Sequence, residues 1–228
     1  MNLPKFLSAI FAVLIGLSAS AQKHYEANIT IGGKAGATMS RISFSPSVPQ
    51  SMLNGIMMGV TFRYIEERNF GLIAEVNVEQ RGWKEKFEET PYQYQRKLTY
   101  IQIPFLTHIY FGSTKIHGFF NAGPEISYMI GERTSSNFDV DNISNLSDFP
   151  KVNRSLEQLS MPVENKFDYG ISVGLGIEYF IKRNHSVNLE GRLYYGLGNI
   201  YGSSKSDVFA ASRGMAIQVT LGYNFRLR

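Results

Sequence analysis

Four histidines, His24, His108, His117 and His185, are the side chains of this sequence best suited to metal binding or general acid–base work. His108 and His117 flank a GSTK turn that would bring them within diagonal reach on one sheet face, but no third donor accompanies them at a matching spacing. Two imidazoles without a third ligand read as polar filler. No G-x-S-x-G occurs, and no Ser/His/Asp combination stands out. The acidic DVDN at 139–142 lacks the glycine and distal glutamate of a calcium loop and reads as a solvated tip. No catalytic residue, cofactor-binding residue or metal ligand is assigned, and the chain is expected not to be an enzyme.

The remaining chemistry lies in charges that alternate with apolar residues. Arg63, Glu75, Glu79, Arg81, Glu125, Glu178, Glu190, Arg192 and Arg226 all stand on the polar stripe of a period-two pattern. In FDYGISVGLGIEYF (167–180), Tyr169, Ile171, Val173, Leu175, Ile177 and Tyr179 fall on one face of a strand and Asp168, Gly174 and Glu178 on the other. Either face could be the inner one, because periodicity alone does not separate a soluble barrel from a membrane barrel.

The elements that carry these charges decide the matter. Eight candidate strands follow in order: 28–38, 55–64, 70–83, 94–111, 116–131, 167–181, 186–200 and 214–227. Short turn-like connections (IEERN, GSTK, KRNH) alternate with long ones, the longest being 132–166. Short turns on one side and long loops on the other suit an eight-stranded antiparallel up-and-down transmembrane β-barrel with periplasmic turns and extracellular loops. The apolar stripes then face lipid and the charges face the lumen. An eight-stranded bore is narrow enough for side chains to fill, so the nine charges are expected to interlock as one lumen network. With a tight KRNH turn setting Lys182 opposite Ser186, Glu178 would face Glu190, with Arg192 on the diagonal and Arg226 within reach.

The flanking segments fit that location. MNLPKFLSAIFAVLIGLSASAQ has a lysine, an apolar run and an A-x-A ending, the layout of a signal peptide over 1–21. The barrel domain is expected over 22–228. The chain has 228 residues, a net charge of +4 and no cysteine. That leaves no disulfide framework and no thiolate metal site. Without a basic stripe interleaved with aromatics, no nucleic-acid partner is expected.

The segments FGLIAEVNVEQRGWK, LTYIQIPFLTHIYF, FFNAGPEISYMIG, DYGISVGLGIEY and LGYNFRL resemble the PorT-like outer-membrane β-barrel family of Bacteroidetes across nearly all of 22–228. The resemblance implies a small barrel of the bacterial outer membrane and, through the family's founding member, an association with protein secretion across that membrane. The expected role is therefore envelope-structural or loop-mediated binding. An accessory part of a secretion system and a narrow small-solute pore are the alternatives. Expected partners are outer-membrane lipid and a protein at the extracellular loops or periplasmic turns. Within 132–166, Phe138, Ile143, Leu146, Phe149, Leu156, Leu159 and Met161 accompany charges of both signs, and a binding surface and a merely variable loop both remain open.

Overall fold

A computed structural model describes residues 28–67, 69–87, 90–140, 142–143, 146, 149–150, 155–204 and 207–227. The leader assigned to 1–21, the chain start assigned to Gln22, and His24 lie outside the described residues. Eight long strands form the wall: β1 (Asn28–Ser45), β3 (Leu53–Glu67), β4 (Phe70–Glu85), β5 (Tyr94–Gly112), β6 (Ile116–Ser136), β7 (Phe167–Lys182), β8 (His185–Gly196) and β9 (Ala211–Arg226). A two-residue strand, β2 (Gln50–Ser51), pairs with the end of β4. Each long strand is antiparallel to its neighbours, and β9 pairs with β1 from Thr30↔Arg226 to Ser45↔Ala211, which closes the ring. Closure pairs both edges of each of the eight long strands, the condition for crossing a bilayer with strands.

The outer face supplies the second condition. Along β5 the outward residues Phe111, Ile109, Phe105 and Ile101 are exposed apolar side chains, and so are Ile171, Val173, Leu175, Ile177 and Tyr179 on β7 and Val219, Leu221 and Tyr223 on β9. From Phe111 to Ile101 is ten residues. At ~3.4 Å each and a tilt of ~35–45° they span ~26 Å of height, close to the ~25 Å apolar band of a transmembrane barrel. Rings cluster at its margins: Phe70, Phe111, Tyr179 and Tyr223 at the turn end, Tyr128, Phe167 and Tyr195 towards the loop end. No soluble sheet would present such a belt to water.

Beyond the belt the strands continue, and their faces exchange character. On β1 the inward side runs Lys34, Thr38, Ser40 and then Ile42 and Phe44, all buried, while outward Met39 gives way to Arg41 and Ser43. On β5 inward Gln102 gives way to Tyr100, Leu98 and Tyr94. Inside the bilayer the apolar face meets lipid; above it, in water, the apolar face must turn inward. That inversion marks the membrane boundary on these two strands. It also explains why β1 runs seven residues past the predicted end at Thr38, and β6 five past Gly131. Conversely β8 stops at Gly196, and Ile200, expected at its end, leaves the wall to pack beneath the loops.

Candidate functional site

The lumen is packed with polar side chains in layers. Nearest the loops, the Arg81 guanidinium lies between the rings of Tyr100 (4.2 Å) and Tyr194 (4.3 Å). It donates to Asp168 Oδ2 at 3.0 Å and to Ser127 Oγ at 2.6 Å, and Tyr194 Oη donates to the same carboxylate at 2.8 Å. One step down, Glu79 accepts from Gln102 and, at 2.9 Å, from Gln218, while Glu125 accepts from Ser172 at 2.6 Å. Arg81 Nη1 stands 3.9 Å from both glutamates.

Arg192 forms the next layer. Its guanidinium holds Glu75 through two bonds of 2.8 and 3.0 Å and Glu190 at 2.9 Å. Lys34 reaches Glu75 at 2.5 Å, Asn77 donates to the same carboxylate at 2.9 Å, and Asn121 donates to Glu190 at 2.8 Å. Towards the turns, Arg63 donates to Glu178 at 2.7 Å, and Ser186 and Asn224 donate to its other oxygen. Two-pronged guanidinium–carboxylate contacts with further hydrogen bonds on the spare oxygens are what ionised groups need once removed from water.

The structure thus brings together Arg63, Glu75, Glu79, Arg81, Glu125, Glu178, Glu190 and Arg192, all buried inside the ring. Arg226 does not join them. It sits half-buried at the turn end, 5.8 Å over the Phe180 ring, and among the described residues makes no ion pair. The reason is distance along β9: Glu190 is level with Thr220, six residues and ~20 Å from Arg226.

The expected confrontation of Glu178 with Glu190 is also absent. Glu178 faces Asn188, and Glu190 faces Gly176. The turn Arg183–Asn184 sets Lys182 against His185, and a bulge between Phe180 and Lys182 shifts the register once more. Glu178 consequently pairs with Arg63 and Glu190 with Arg192.

His108 and His117 are separated by Tyr110, whose ring lies 5.4 Å from the first imidazole and 5.1 Å from the second. His108 Nδ1 is 2.7 Å from Asn121 Oδ1. Among the described residues no group of three or more histidines and acids could share a metal ion.

Four contributors were missed by the sequence reading. Lys34 lies in IGGKAGA, where glycines and alanines blur the stripes, but its odd spacing from outward Ile31 places it inside. Asp168 and the two tyrosines that sandwich Arg81 carry no local signal of partnership, because their contacts join different strands.

Above Arg81 the loop end is closed. Ile42, Phe44, Trp83, Tyr94, Leu98, Phe149, Leu159, Val163, Tyr201 and Phe209 form one buried cluster. Phe44 packs edge-on to Trp83 at 5.6 Å and against Phe209 at 4.9 Å. Polar ties fasten the loops to the wall: Tyr94 Oη donates to Leu159 O (2.8 Å), Arg96 to Met161 O (2.5 Å), and Gln158 to Glu85 (3.0 Å). Burial pushes the Tyr201 phenol above its ordinary range, and it is a neutral donor to Gln158 O at 3.2 Å. The space between Arg81, Leu98, Tyr100 and Ile200 has no room for a water molecule. At the opposite mouth a polar cavity of about 320 Å³, lined by Arg63, His108, His117, Glu178 and Arg226 among others, opens outward.

A family model described as outer membrane protein beta-barrel domain matches residues 20–202. The chain belongs to that family. This outer membrane beta-barrel protein is accordingly a component of the bacterial outer membrane, with its three short turns periplasmic and its long loops extracellular. It is similar in fold to the outer membrane protein OprG from Pseudomonas aeruginosa, at a TM-score of 0.51 and 14% identity, over 92% of this chain and 100% of that one. Neisserial surface protein A aligns at a TM-score of 0.44 and 12% identity, over 87% of this chain and 98% of that one. The attachment invasion locus protein Ail of Yersinia pestis aligns at 0.39 and 10%, over 86% and 98%. No curated protein matches.

Proposed function

We propose that this barrel performs no catalysis and serves the envelope as a structural element or binding platform, with the capped extracellular loops as its working surface. The observation that carries the reading is the seal: a lumen filled by paired charges and closed above by an aromatic cluster leaves the loop surface as the face offered to the outside. Loops fixed on a rigid wall are where binding is commonly built, and here Tyr94, Arg96 and Gln158 fix them. In this reading the buried charges, Arg63 to Arg192, are a structural plug, and residues 1–21 are the export signal removed to leave the domain at 22–228.

A second reading makes the protein an accessory of an outer-membrane secretion system, as the PorT-like likeness of QRGWK, YIQIP and GLGIEY suggests. The open polar cavity at the periplasmic mouth favours it as a contact surface. A narrow solute pore is the third, and the filled lumen speaks against it.

Photo-crosslinkers placed at Glu157 on the loops and at Thr114 on a turn, with conductance in planar bilayers, separate the three. The platform reading expects an envelope protein captured repeatedly from Glu157 and no conductance steps. Capture from Thr114 alone would transfer the role to the secretion reading, and discrete steps would install the pore.

A further inference from the structure

The register of β4, β5 and β6 sets three cations side by side on the outer wall just above the lipid belt. Lys97 on β5 is directly opposite Arg133 on β6, and Lys84 on β4 is opposite Gln95, diagonal to Lys97. The inward residues here are Leu98 and Trp83, buried in the cap, so these three side chains point away from the barrel. Four residues separate Lys97 from the belt residue Ile101, which is ~10 Å of height on a tilted strand. That is headgroup level of the outer leaflet.

Like charges directly opposite each other weaken a sheet unless a counter-charge stands between them. Among the described residues neither lysine nor Arg133 forms an ion pair, and the neighbouring acid Glu132 is taken by Arg96 at 2.6 Å. The layer these residues face, the headgroups of the bilayer, can supply that counter-charge. Guanidinium and ammonium groups on neighbouring outward positions suit a phosphate, whose oxygens accept from several donors at once.

We propose that Lys84, Lys97 and Arg133 form a docking site for the phosphate of a lipid headgroup in the outer leaflet. The inference rests on the barrel's embedding in the membrane and is independent of the role assigned to its loops. Basic residues near a bilayer surface each strengthen the hold on anionic headgroups by about fivefold, and three on adjacent strands would also fix the lipid's position around the circumference.

Amine acetylation read by peptide mass spectrometry tests this on the full barrel in nanodiscs. One sample holds phosphatidylcholine alone, a second adds about a tenth of phosphatidic acid, whose headgroup is a phosphate monoester, and a third adds inorganic phosphate to phosphatidylcholine. The site predicts that phosphatidic acid slows labelling of Lys97 and Lys84 by about fivefold or more. Arg133→Gln, an exposed change checked for folding by heat-modifiable migration, should lose most of that protection. Unchanged labelling with phosphatidic acid would overturn the proposal. So would equal slowing at the turn residues Lys115 and Lys182, which would mean diffuse attraction, or equal protection by inorganic phosphate, which would mean a free-anion site.

Discussion

Replacing Arg192 by Met should cost the barrel ~3 to 5 kcal/mol, the range for removing one partner of a buried ion pair. Arg192 touches two carboxylates, so its loss leaves Glu75 with Lys34 and Asn77, and Glu190 with Asn121 as its nearest donor. Lys34 stands 3.9 Å from Glu190, too far to replace the bonds of 2.9 to 3.1 Å that are lost. Of the two acids Glu190 is the worse served. Adding Glu190→Gln to Arg192→Met should therefore recover much of the loss, because the charge left without a cation goes with it. Urea unfolding in lipid vesicles, run on both single variants and the double, gives the coupling. Simple additivity would mean that the two side chains do not share a lumen.

Trp83→Ala is the second large effect, and it should be local. Trp83 is fully buried between Phe44, Tyr94 and Tyr201, in a cluster that stands above the bilayer and owes nothing to lipid. Truncating such a residue typically costs ~3 to 5 kcal/mol. Here the cost falls on the cap, since the wall below keeps its ladder and its charge pairs. Protease cleavage within 137–166 of the membrane-embedded protein should then quicken by roughly two to three orders of magnitude, as ~1.4 kcal/mol is tenfold in an opening equilibrium. Heat-modifiable migration of the barrel should persist. Parental cleavage rates would show that the loops are not held by this cluster.

These two sites differ in how far the sequence revealed them. The wall was legible because lipid on one side and a packed lumen on the other enforce strict alternation: Ile171 to Tyr179 share one face by parity, and the alternation of short turns with long loops makes that face the outer one. Parity puts Glu75, Glu79 and Arg192 on the opposite face, which is then the lumen. What parity cannot supply is register. The two-residue turn at Arg183–Asn184 and the bulge beside Phe180 moved Glu178 away from Glu190, and neither leaves a mark in an alternating pattern.

The cap was hidden for another reason. Its residues come from strand ends whose faces have exchanged character, such as Ile42 and Trp83, and from loops rich in apolar side chains, such as Phe149 and Leu159. Apolar residues in a long loop were themselves the signal, since a loop solvated on all sides has no use for them. Read beside the inward switch at Ile42, they would have indicated a second core outside the membrane.

The central claim is that the apolar stripes face lipid and the charges face one another. The chain has no cysteine, so single nitroxide labels can be placed one at a time along β9 from Ala216 to Asn224 in the reconstituted protein without background. Oxygen, which concentrates in the bilayer, should relax labels at Ile217, Val219, Leu221 and Tyr223 strongly and labels at Gln218, Thr220, Gly222 and Asn224 weakly, with a period of two. The opposite phase, or a flat profile, would place the charges outside and contradict the account.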